Sequence, residues 1–142
     1  MTTYVGFFDG SITHNPGGDM GIGCVLYEVT EEKKEKIFQY KGFYSSSNFP
    51  NGTSNNVAEC LALNKLLEFL IEENLMNENI TIFGDSQIVI NRAISRNTHG
   101  KGIFIPHIVK MVVLLTPFNR IRFKWCKREE NTEADLLSKV IK

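Results

Sequence analysis

Four carboxylates sit where a chain usually places apolar residues or helix caps. Asp9 closes the apolar run "YVGFF" (4–8) and is followed by Gly10 and Ser11. Glu59 opens a stripe at 59, 63, 66 and 70 whose other members are Leu63, Leu66 and Leu70; those positions share one face of a helix. Asp85 ends "NITIFGD" (79–85), with Phe83 two residues before it as Phe7 is before Asp9. Asp135 lies in "REENTEADLLSK" (128–139), beside an apolar face of Leu136, Leu137, Val140 and Ile141 and on the side of Asn131 and Ser138. Each acid has an ordinary alternative. Asp-Gly is a hairpin signal. Glu59 can favour the helix dipole or pair with Asn56 in a capping box. Asp85 can cap the helix that follows it, and Asp135 can be a solvated helical acid. Together these alternatives require four acids to fall by chance at strand ends and helix starts around one pocket. Clustered carboxylates raise one another's pKa and need cations to stay ionised. Oxygen-only ligands suit Mg²⁺ or Mn²⁺. Two such ions about 4 Å apart can activate a water and stabilise the leaving oxygen of a phosphodiester.

Several elements must position these acids. Tyr4–Phe8, 22–30 and 36–44 read as three strands of an antiparallel meander, joined by a Gly-rich turn at 15–21 and the charged turn Glu31–Lys34. Residues 45–53 read as a loop. A helix capped by Ser54 or Asn55 runs to about Glu73. A strand at 79–85, a helix at Ser86–Arg96, a loop at 97–102 and a helix at Ile105–Leu115 follow. In "RIRFKWCK" (120–127) Ile121, Phe123 and Trp125 alternate with Arg120, Arg122 and Lys124, which predicts a strand with Phe123 and Trp125 in the core. A last helix is expected over Thr132–Ile141. Helices between the later strands imply parallel crossovers, hence an α/β fold with a mixed sheet. If the first and fourth strands are parallel neighbours, Asp9 and Asp85 share one sheet edge, with strand axes about 4.8 Å apart, and open sheets bind ligands at that edge.

The 142 residues, 42% hydrophobic and 23% charged, fit a single domain over 1–142. No apolar run approaches the roughly 20 residues of a membrane span, and the N-terminus lacks the regions of a signal peptide, so a cytoplasmic protein is expected. Cys24, Cys60 and Cys126 stand singly in apolar segments and are expected as buried thiols. Net charge is zero. Yet residues 1–78 carry 5 Lys/Arg and 11 Asp/Glu, and residues 79–142 carry 11 and 5. That asymmetry allows a polyanion-binding face, or charges that interleave and cancel.

Four segments, "FFDGS…NPGG" (7–18), "TSNNVAE" (53–59), "IFGDSQIVI" (82–90) and "REENTEADLLSK" (128–139), give the chain a resemblance to ribonuclease H type 1 over nearly its full length. The resemblance implies a ribonuclease H-like fold: a five-stranded mixed sheet of order 3-2-1-4-5 flanked by helices. It implies that Asp9, Glu59, Asp85 and Asp135 are the catalytic and metal-binding quartet for two Mg²⁺ ions, with Mn²⁺ as substitute. The implied reaction is hydrolysis of the RNA strand of an RNA/DNA hybrid, leaving 5′-phosphate and 3′-hydroxyl ends. In that division of roles Asp9 bridges both ions and Glu59 serves the leaving-group side. Asp85 serves the shared centre and Asp135 the attacking-water side. Gly10, Ser11, Asn55 and Asn56 match the positions that read 2′-hydroxyls, which distinguish RNA from DNA, although helix capping would also explain the two asparagines. Asn15 and Gln87 match further substrate contacts. A monomer acting on a hybrid duplex, without a membrane, is expected.

Two departures from the family stand out. The loop "KREENT" (127–132) lacks the family's mobile histidine, leaving Arg128 or Glu130 as possible assistants; His14, His99 and His107 are expected at the surface or satisfied. Residues 97–105 are too short for the basic, Trp-bearing handle of some members, with Arg96 and Lys101 as the local bases, which predicts weaker and more salt-sensitive binding. The rival readings are a non-catalytic nucleic-acid- or protein-binding domain of this fold, and a nuclease for double-stranded RNA.

Overall fold

The computed structural model describes residues 1–139. Five strands form one mixed sheet in the order β3-β2-β1-β4-β5: β1 (Thr3–Ile12), β2 (Met20–Val29), β3 (Lys34–Tyr44), β4 (Asn79–Gly84) and β5 (Ile121–Trp125). The first three are an antiparallel meander. β4 pairs parallel to β1 on one side and β5 parallel to β4 on the other. Among the described residues four α-helices complete the fold: α1 (Asn55–Glu72), α2 (Gln87–Ser95), α3 (Ile105–Leu115) and α4 (Thr132–Ser138).

The core lies almost wholly on one side of the sheet. Phe8, Ile22, Cys24 and Leu26 of the meander and Ile80 and Ile82 of β4 meet Leu63, Leu66, Leu67 and Leu70 of α1. Ile108, Met111 and Leu115 of α3 close that layer. Burying a leucine or isoleucine contributes roughly 1.5–3 kcal/mol, so this layer dominates the fold's stability. All three cysteines are free and buried within it or at its margin. Among the described residues no helix is long and apolar enough to cross a membrane.

Among the described residues, α4 is the helix on the opposite side, where it packs against β2, β1 and, less extensively, β3. Gly23 makes this possible: a Cβ there would lie 2.4 Å from Ala134 O and 2.5 Å from Leu137 Cβ. The helix therefore rests directly on the strand backbone, with Ala134 and Ser138 buried. Leu136, expected on the apolar face, is instead 69% exposed, because the contact with β2 runs through Ala134 and Ser138. Val140 and Ile141 lie outside the described residues.

Candidate active site

The sheet's pairing pattern places two of the four acids. The parallel ladder between β1 and β4 runs from Thr3↔Asn79 to Phe8↔Gly84 and stops. β1 does not end at Asp9, as the Asp-Gly pair suggests; it continues to Ile12 against β2, with Asp9 opposite Gly23. Asp9 thus stands where β1 loses its β4 neighbour, and Asp85 is the first residue beyond β4. Capping does not account for Asp85, because the Ser86 hydroxyl accepts from Val89 N at 3.3 Å and caps α2.

Glu59 is likewise no cap. Ser54 caps α1, accepting from Val57 N at 3.1 Å, and the first turn holds no acid. Glu59 falls in the second turn and is 3% exposed. Gly10 brings it to Asp9. A Cβ on Gly10 would lie 2.4 Å from both Ala58 C and Glu59 N, so the absent side chain lets α1 abut β1 at this point.

Oxygens of Asp9, Glu59 and Asp85 lie within 4.8 Å of one another. Gly10 N donates to Asp9 Oδ1 at 2.9 Å. Glu59 Oε2 is buried without a hydrogen-bond partner, a costly arrangement for a polar atom. Burial pushes the Asp9 carboxyl up to about 7. Its hydrogen bond with Glu59 works against that rise, while the nearby Asp85 and Asp135 reinforce it. Glu59 is pushed well above the usual carboxylate range by burial and then by Asp9. Asp85 is raised by burial, with the Arg128 charge and a hydrogen bond from Asn131 pulling back and Asp135 pushing up. Crowded, desolvated carboxylates with an orphaned oxygen are the surroundings that a hard divalent cation stabilises. The donor set fits Mg²⁺ or Mn²⁺.

Asp135 lies outside this trio. It is ion-paired with Lys139 at 3.4 Å and Arg128 at 3.8 Å. It is still close enough to act on the Asp9 and Asp85 carboxyls. Asn55, Trp125 and Arg128 complete a pocket of about 310 Å³ around the three carboxylates and Gly10. A second hollow of about 330 Å³ beside it is lined by Ser11, Thr13, Asn55, Arg128 and Lys139.

A family model described as reverse transcriptase-like matches residues 8–141. The chain belongs to this ribonuclease H-like family. A curated "Ribonuclease H" from Anaeromyxobacter sp. (strain K) is 31% identical over 97 residues, 68% of this chain and 48% of that protein. The chain therefore spans about half the length of the curated relatives it matches. RNase H1 from the halophilic archaeon Halobacterium salinarum NRC-1 superposes with a TM-score of 0.76 at 25% identity, covering 96% of this chain and 94% of that one. LC11-RNase H1, isolated from compost, superposes at 0.77 with 22% identity, covering 95% and 93%.

The remaining residues of this ribonuclease H-like domain divide by what they touch. Asn15 is exposed, and its Oδ1 accepts from Asn55 N at 3.0 Å, which ties the turn after β1 to the start of α1. Asn55 and Asn56 are half-buried in the first turn of α1. Since Ser54 holds the cap, capping does not explain either side chain. Ser11 donates its hydroxyl to Ser138 O. Gln87 is exposed at the start of α2, two residues after Asp85, and is not among the residues lining the three-carboxylate pocket. Of the two residues considered in place of a histidine, Arg128 lines the pocket, while Glu130 accepts from Lys127 N at 3.0 Å and holds the turn before α4.

Two residues were undervalued by sequence reasoning. Trp125 is not core. It is 46% exposed at the end of β5, and its Nε1 donates to Asp85 O at 3.0 Å. Strand alternation points it inward, but at the end of β5 the ring stays nearly half exposed. Asn131 registers in the sequence only as a neighbour of Asp135. It is buried, its Nδ2 donates to Phe8 O at 2.9 Å, and it fastens the start of α4 to β1 just before Asp9. An amide just before a helix, following a charged loop, was the available signal.

Proposed function

We propose that this chain is a metal-dependent endonuclease that cuts the RNA strand of RNA/DNA hybrids, leaving 5′-phosphate and 3′-hydroxyl ends. The observation that carries this reading is the meeting of Asp9, Glu59 and Asp85 oxygens within 4.8 Å at the open end of β1 and β4, in a chain of the ribonuclease H-like family. LC11-RNase H1, which shares the fold, was solved with an RNA/DNA hybrid.

Asp9, Glu59 and Asp85 would hold the cations, with Asp135 joining from the flank. When bound, a pair of divalent ions lowers the pKa of a water and stabilises the leaving oxygen. The chain's own residues supply the rest. Gly10 N–H fixes the Asp9 rotamer through Oδ1, and Trp125 pins the backbone of Asp85. Asn131 and Arg128 favour the ionised form of Asp85. The carboxamides of Asn55 and Asn56 can both donate and accept, which suits them to read a 2′-hydroxyl in the minor groove. Ser11, Asn15 and Gln87 extend that contact surface. The chain acts as a monomer in this reading.

Labelled RNA/DNA, RNA/RNA and DNA/DNA duplexes incubated with Mg²⁺, Mn²⁺ or EDTA test it. Cutting of the RNA strand in the hybrid alone, abolished by EDTA, is expected. A hybrid left intact under every metal condition would make this a binding domain, and cutting that survives EDTA would remove the metal chemistry.

A further inference from the structure

The described residues cover the side of the sheet that bears α4 only in part. α4 lies over β2 and β1, and Val5, Phe7, Thr81 and Phe83 beyond it remain half-buried. None of Val5, Phe7 or Phe83 belongs to or packs against the apolar core on the other side. Phe7 and Phe83 are neighbours in the parallel ladder, and their rings stack at 5.3 Å and 18°. The two stacked rings form a small contiguous apolar patch, and an apolar patch with a polar rim is the form that binding surfaces take.

The edge beside these rings is basic. Arg122 pairs in register with Thr81 and Lys124 with Phe83, and both side chains are exposed. Arg120 continues the row at the same two-residue period. Alternate residues of a strand are roughly 6.6 Å apart, so the row offers regularly spaced cations along one line. Among the described residues none of the three has an acidic partner within ion-pair distance; Arg122 donates instead to Asn79 Oδ1 at 3.2 Å. Both acids of α4 are engaged: Glu133 by the Tyr27 hydroxyl and Lys36, and Asp135 by Lys139 and Arg128. Lys34 lies over the Tyr27 ring at 4.4 Å, so the opposite margin of the face is basic as well.

We propose that this face is a second nucleic-acid site, which takes a single strand. Unpaired bases stack on Phe83 and Phe7, and phosphates follow Arg120, Arg122 and Lys124. Rings and cations in parallel rows are the combination that holds single strands without sequence preference. A duplex hides its base faces and cannot use the rings. The face also runs directly into the acidic pocket: Phe83 lies two residues before Asp85, and Lys124 precedes Trp125. A single-stranded extension of a bound substrate would thus be held beside the carboxylates. This site does not require the hydrolase reading, because binding is read without metal.

The test is fluorescence anisotropy of labelled 12-mer oligo-dT and oligo-U with the full chain in EDTA, across a salt series. Wild type should bind both single strands more tightly than a blunt hybrid of the same length. The double variant Arg122→Ala/Lys124→Ala should weaken single-strand binding at least tenfold at low salt. It should also flatten the slope of log K against log salt by about 1.4, since each lost single-strand phosphate contact removes about 0.7. Phe83→Leu keeps the apolar volume and removes the ring. It should weaken binding by about fivefold or more and leave the salt slope unchanged. Circular dichroism confirms folding of each variant, and cleavage of a short blunt hybrid in Mg²⁺ should stay within twofold of wild type. Single-strand binding unchanged in both variants overturns the proposal, as does a Phe83→Leu variant that loses no affinity.

Discussion

Replacing Asp9 by Asn should stabilise the metal-free protein while abolishing cleavage. The Asp9 carboxyl rises from 3.8 to about 7 in the folded chain, a change of about three units at about 1.36 kcal/mol each. For an isolated group that would be a penalty of about 4 kcal/mol at pH 8. The Asn amide is buried in the same place and keeps part of that desolvation cost, so about 2 kcal/mol is the expectation for the single substitution. In a domain of this size that corresponds to a rise in Tm of about 4–8 °C. The sign follows from linkage. An acid whose folded pKa is raised holds its proton more tightly in the native state, so stability falls as pH climbs from the unfolded value toward about 7. Below about pH 4 both states are protonated and the penalty vanishes. Asp9→Asn and wild type should therefore melt together near pH 4 in EDTA and diverge toward pH 8, with the variant more stable. The Asn side chain keeps an oxygen for Gly10 N, so no local bond need be lost. Differential scanning calorimetry at several pH values in EDTA measures this. A variant that melts below wild type at pH 8, or a gap that is the same at pH 4 and pH 8, would refute the electrostatic account of the pocket.

Gly10→Ala should separate α1 from β1, because the new methyl would meet the backbone at Ala58 and Glu59. Overpacking of this kind costs about 1–3 kcal/mol, which lowers Tm by about 2–12 °C, and hybrid cleavage should fall more than a hundredfold at temperatures where the variant is still folded. Arg128→Ala removes the charge that holds Asp85 down, so the acid limb of the pH–rate profile should move to higher pH; a pH–kcat series with Mg²⁺ checks it. Asn56→Ala should reduce the ratio of hybrid to DNA/DNA binding by about tenfold and leave Tm nearly unchanged, since Ser54 holds the cap. Equal losses in discrimination and melting temperature would return Asn56 to a structural role.

The succession of strands and helices and the inward setting of Asp9, Glu59 and Asp85 were legible because they rest on local pattern, whereas the order 3-2-1-4-5 came only from the resemblance to ribonuclease H type 1, since local pattern does not say which strands are neighbours. Short apolar runs ended on acids, and the apolar period of α1 put Glu59 on its inward stripe. The end of β1 was not legible. Asp-Gly favours a turn only when nothing else pairs the strand, and β2 pairs β1 through Ile12. Trp125 was misplaced for a similar reason: strand alternation predicts a direction but cannot tell whether a helix exists to cover it. Leu136 is the same lesson on a helix, since α4 rests on Gly23 through its small residues and turns a leucine to solvent. The position of Asp135 depends on Arg128 and Lys139, partners from a turn and a helix end whose geometry the sequence pattern does not specify.

A crystal structure grown in Mn²⁺ with a hybrid and an Asp135→Asn chain would examine the central claim most directly. Anomalous scattering should place an ion within coordination distance of oxygens from Asp9, Glu59 and Asp85 together. Manganese peaks that avoid all three residues, or that touch only one of them, would contradict the account.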